Sequence, residues 1–79
     1  MSPTIYREKG YRFFFFMREE SRMDVHVISG DGEAKYLLEP EIFLAKNYRL
    51  SQKDLSEVEK IVEAHQDEFI AAWQQVFGS

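Results

Sequence analysis

The sequence predicts an α+β domain: an antiparallel sheet of about four strands, in two hairpins, packed on a C-terminal amphipathic helix or helix pair. Three observations predict it. Short runs rich in β-branched and aromatic residues fill positions 4–38. Two junctions between these runs, Lys9-Gly10 and Asp31-Gly32, are tight-turn dipeptides. From Ser51 onward, apolar residues recur at helical spacing as far as Val76. The chain reads as one domain over residues 1–79, with the sheet in 1–39, a connection in 40–50 and a helical part in 51–77.

The elements follow in order. Thr4–Glu8 is the first strand, and Gly10 supplies the positive φ that a tight hairpin needs. The second strand, residues 11–18, carries Phe13, Phe14, Phe15 and Phe16 in a row between Arg12 and Arg18. Residues 19–22 form a polar connection. Asp24–Ile28, "DVHVI", is a third strand rich in β-branched residues. "SGDGE" is the clearest turn signal, with Asp31-Gly32 as a type I′ pair and Ser29 as turn chemistry. A fourth strand covers 34–38. Pro40 stops it or starts a short helix. Residues 41–47, "EIFLAKN", fit either a fifth strand or a helical turn, and the turn is slightly favoured. Ser51 caps the long helix, with Asp54 completing an Asp variant of the capping box and Leu50 and Leu55 at the staple positions. The apolar stripe runs through Leu55, Val58, Ile61, Val62, His65, Phe69, Ala72, Trp73 and Val76. It is long for so small a domain, which predicts a break near residues 65–67 with Asp67 capping a second segment.

Counting back from the two turns sets the pairing. Tyr6 falls opposite Phe13, Arg7 opposite Arg12, and Val27 opposite Tyr36. Alternation sends Tyr6, Tyr11, Phe13, Phe15, Met17, Val25, Val27, Tyr36 and Leu38 to one face, which the helix covers. Ile5, Arg7, Arg12, Phe14, Phe16, His26, Ile28, Lys35 and Leu37 go to the other. That second face is neither a core nor an ordinary wet surface, because it mixes phenylalanines with cations. Two readings follow. Contiguous apolar surface marks a protein contact, through Phe14, Phe16, Ile28 and Leu37. Alternatively, Arg7, Arg12, His26 and Lys35 hold an RNA backbone while the rings stack on bases.

Other chemistry is sparse. His26 with Asp24 two residues away is a weak catalytic candidate, since an Asp–His pair can orient or shuttle a proton. The only enzyme this pattern suggests is a metal-independent ribonuclease. The absence of cysteine excludes disulfides and thiolate metal sites. The two histidines lie on different elements and form no metal motif, so neither metal nor cofactor is expected. No apolar run is of membrane-spanning length, no secretory leader is evident, and a cytoplasmic location is expected. The net charge of −4 lies wholly in the second half: up to Lys35 there are six basic and six acidic residues, and from Tyr36 on four basic and eight acidic. That balance argues against non-specific nucleic-acid binding, although one basic face survives it.

"PTIYREKGYRFFFF", "VHVISGDGEAKYLLEP" and "LSQKDLSEVEKIVEAHQDEFIAAWQQVFG" together resemble the bacterial domain-of-unknown-function family 4160. The resemblance covers nearly the whole chain. It implies a short cytoplasmic protein from a gene pair of the toxin–antitoxin type, with a second small protein as partner. Three departures stand out. Asp24 occupies the place of the first histidine in the family's His-Val-His motif, Arg22-Met23 replace its prolines, and Arg49 stands where the family tends to have glycine. The expected function is therefore a small interaction module, bound to itself or to a neighbouring-gene product. An RNA-binding or RNA-cleaving domain is the alternative.

Overall fold

The computed structural model describes residues 4–16 and 22–78. Expectations for Met17, Arg18 and the connection over 19–21 lie outside them. Five strands form one antiparallel sheet in sequential order: β1 (Thr4–Glu8), β2 (Tyr11–Phe14), β3 (Asp24–Ile28), β4 (Glu33–Leu37) and β5 (Phe43–Tyr48). Two helices follow, α1 (Gln52–Ala64) and α2 (Gln66–Phe77). The α+β class holds, with one strand more than expected.

The first hairpin turns where the sequence places it. Lys9 and Gly10 both have positive φ, 54° and 84°, as a type I′ turn requires. Tyr6 faces Phe13 and Arg7 faces Arg12. The second hairpin differs. Val27 pairs with Ala34 and Tyr36 with Val25, so the turn centres on Gly30-Asp31 rather than Asp31-Gly32. The Ser29 amide donates to the Gly32 carbonyl at 2.9 Å, and the Asp31 amide donates to Ser29 Oγ at 3.2 Å. The displacement is two residues, so every side chain keeps its face. Gly32 has a separate task. A Cβ there would lie 2.1 Å from the Tyr48 carbonyl oxygen, so only glycine lets the turn lie against the end of β5.

Residues 43–48 form a strand, not a helical turn. The segment pairs along β4, and Phe43, Leu44 and Tyr48 suit a pleated surface better than an isolated turn of helix. A register shift leaves Ala45 as an extra residue between Leu44 and Lys46, which hid the alternation. A similar shift at Ile5 turns that side chain away from the outer face, and Ile5 packs against the core instead.

One face of the sheet joins the helices in a single core. Phe13, Phe15, Val25, Val27, Tyr36 and Leu38 meet Leu55, Val58, Ile61, Val62, Phe69 and Trp73. Burying each large side chain contributes roughly 1.5–3 kcal/mol. Polar links fix the helices in place. Tyr11 donates to Asp54 at 3.0 Å, Tyr36 to the Leu55 carbonyl at 3.3 Å, and Gln66 Nε2 to the Leu38 carbonyl at 2.9 Å. Burial first, then the carboxylates of Asp54 and Glu57, pushes the Tyr11 hydroxyl above its usual range.

Ser51 caps α1 through the full capping box, and Leu50 and Leu55 are both buried as the staple requires. The break falls at His65, which ends α1 and begins α2. Asp67 lies inside the first turn of α2, whose N-terminus has no side-chain cap. The His65 ring is held by side chains. Its ring lies 4.3 Å from the Tyr6 ring, with Nε2 3.8 Å from Glu8 and Nδ1 against Glu68.

Candidate functional site: the open face of the sheet

Both helices pack on the same side, so the other face of the sheet has no covering layer among the described elements. The strand registers arrange this outer face in rows. Arg7, Arg12, Ile28, Glu33 and Tyr48 lie side by side across the five strands. The next row is Thr4, Phe14, His26, Lys35 and Lys46. A third contains Asp24, Leu37 and Phe43.

The sequence-predicted residues fall on this face, but not with equal access. Phe14 is only 6% exposed. Its ring stacks on His26 at 5.5 Å, meets Phe16 edge-on at 5.7 Å, and lies 4.7 Å beneath the Arg12 guanidinium. Phe14 thus forms the buried floor of the face. Phe16 is 49% exposed and leans over His26 at 4.2 Å. Ile28 and Leu37 are half-buried between their neighbours, and Arg7 is exposed. Arg12 Nε donates to Thr4 Oγ1 at 2.6 Å, which anchors the guanidinium over Phe14.

His26 and Asp24 share the face without forming a proton relay. Asp24 is buried, with Lys35 Nζ 3.9 Å from its Oδ2. Burial, followed by the nearby charges of Lys35 and Lys46, pushes the His26 imidazole down to about 4. At neutral pH the ring is uncharged and packs against the Phe14 and Phe16 rings. Among the described residues, no three His, Asp or Glu side chains converge as a metal site would need.

Apart from Glu33 on β4, the main residues missed in the sequence lie on β5. Phe43 and Tyr48 are each 62% exposed, the most open large apolar side chains described, and Lys46 sits directly opposite Lys35. A depression of about 520 Å³ lies between Phe16, His26, Glu33, Lys35, Lys46 and Tyr48. The signal was the aromatic pair Phe43 and Tyr48 flanking a lysine, and the extra residue Ala45 broke its period of two.

The molecule is therefore a small two-layer α+β domain with one closed face and one open face rich in aromatic and basic side chains. Residues 10–74 match a family model described as "Domain of unknown function (DUF4160)", and the chain belongs to that family. Neither curated proteins nor solved structures gave a match. Arg49 takes a φ of 72°, a left-handed conformation that glycine adopts without strain. No helix among the described residues is long and apolar enough to cross a membrane.

Proposed function

We propose that this domain is an interaction module whose working surface is the open face of its sheet, engaged by a second copy or by the small product of a neighbouring gene in a toxin–antitoxin-type pair. One observation carries the reading: Phe16, Phe43 and Tyr48, each about half exposed or more, lie on the face opposite the helices. Rings that the chain leaves open, rimmed by charged groups, have the make-up of a protein contact. The test is the sedimenting mass of the chain, alone and mixed with the neighbouring-gene product. Phe16→Ser lowers that mass, whereas Arg12→Ala and the helix-face variant Val76→Ser leave it unchanged. Equal masses for wild type and Phe16→Ser in both settings would sink the proposal.

One observation favours RNA as a second reading: Arg7, Arg12, Lys35 and Lys46 share this face with the exposed rings. It predicts retention of single-stranded RNA that weakens steeply with salt and is lost in Arg7→Ala or Arg12→Ala. Its cleaving form adds His26, and predicts RNA breakdown that His26→Ala abolishes.

A further inference from the structure

The first two rows of the open face are complementary to each other. On β3 they present Ile28 and His26, on β4 Glu33 and Lys35, and on β5 Tyr48 and Lys46. Successive residues on one face of a strand are about 7 Å apart. A two-fold axis lying in the plane of contact, across the strands and midway between these rows, lays each row over the other. Glu33 then meets Lys35, Tyr48 meets Lys46, and Ile28 meets the neutral His26 ring. Each pairing is favourable: an ion pair, a cation over an aromatic ring, and an aliphatic–aromatic contact.

We propose that the open sheet face docks the same face of a second copy of this chain about that axis. The inference rests on the interaction reading and names its partner. A two-fold interface must be self-complementary, and this surface supplies both members of each pair. The depression between Phe16, His26 and Tyr48 lies over the axis and gives the incoming side chains room. Charge elsewhere favours the same arrangement. On the helices, Lys53 and Lys60 stand against Asp54, Glu57, Glu59, Glu63, Asp67 and Glu68, which accounts for the whole net charge of −4. Docking sheet to sheet keeps the two acidic layers on opposite outsides, and docking helix to helix brings them together. Strand-to-strand addition is hindered, because both edge strands have a shifted register and carry exposed cations, Arg7 on β1 and Lys46 on β5.

Sedimentation equilibrium of the full chain, from low to high micromolar concentration, tests this. The wild type moves from monomer to dimer mass. Tyr48→Lys sets lysine over Lys46 and weakens dimerisation roughly tenfold or more. Tyr48→Glu, at the same exposed position, retains it. Glu33→Lys weakens it by opposing Lys35. Thermal melting shows that each variant is folded, so the Lys–Glu contrast at position 48 reads charge and not stability. A wild type that stays monomeric throughout overturns the inference, as does a Tyr48→Lys variant that dimerises as well as Tyr48→Glu. A monomer that still binds the neighbouring-gene product, and loses it on Phe16→Ser, overturns self-docking and leaves the interaction reading standing. A monomer whose Glu33→Lys variant gains salt-sensitive RNA retention overturns both.

Discussion

The two faces of the sheet carry nearly the same number of aromatic residues, Tyr6, Tyr11, Phe13, Phe15 and Tyr36 on one and Phe14, Phe16, Phe43 and Tyr48 on the other, yet only one is a core. Phe13 and Phe15 point into the helix layer and are fully buried, with Phe15 edge-on to Trp73 at 5.3 Å and Phe13 5.6 Å from Phe69. Phe14 and Phe16, their immediate neighbours, point the other way and lie against His26, meeting each other edge-on. The inner rings have two covering helices, while among the described residues the outer rings meet their own neighbours and Arg12. A ring count does not separate the faces. What separates them is whether a second layer of the same chain lies above.

Four changes test that contrast, in falling order of effect. Phe13→Ala or Phe15→Ala removes a fully buried ring and costs about 3–5 kcal/mol, a large share of what a domain this size possesses. Urea unfolding measures it, and a loss below about 1 kcal/mol would place these rings outside the core. Gly32→Ala forces a methyl group against the Tyr48 backbone and costs about 1–3 kcal/mol. In the same assay its effect should exceed that of Gly30→Ala, where a Cβ meets nothing within 4 Å.

The third change is pH. His26 is pushed down from 6.5 to about 4, so the unfolded chain takes up the proton first. The stability that the neutral ring contributes is whole above about pH 6.5 and is lost as pH falls towards 4. Solvent screening at a half-buried site limits the loss to roughly 1–2 kcal/mol. His26→Gln should remove that part of the pH dependence between unfolding curves at the two ends of the window. An identical slope in both proteins would remove His26 from the account. The smallest effect on folding belongs to Phe16→Ala, within about 1 kcal/mol, because its ring is half in water already. A loss as large as that of Phe15→Ala would show that the outer face is a second core.

Much of this was legible in the sequence, for physical reasons that differ by element. Strands β1 and β3 and the Ser51 cap follow from alternation and capping chemistry, which are local. The inward and outward phenylalanines follow from a period of two. The second turn was displaced because "SGDGE" offers two adjacent dipeptides, and only pairing across β3 and β4 chooses between them. β5 stays ambiguous with a helical turn in the sequence because Ala45 interrupts its alternation. With β5 went Phe43, Lys46 and Tyr48, its whole contribution to the rows of the open face. Ile5 was assigned to the wrong face for the same reason, an extra residue in an edge strand. Phe14 lay beyond sequence reasoning in another way, since its burial beneath Arg12 depends on where a flexible guanidinium settles.

The most direct test of the open face as a self-docking surface is a concentration series of amide and side-chain NMR spectra of the wild-type chain. The account predicts shifts that grow with concentration at Ile28, Lys35, Lys46 and Tyr48, with the outward residues of α1 and α2 unmoved. Shifts confined to the helices, or none at any concentration, would contradict it.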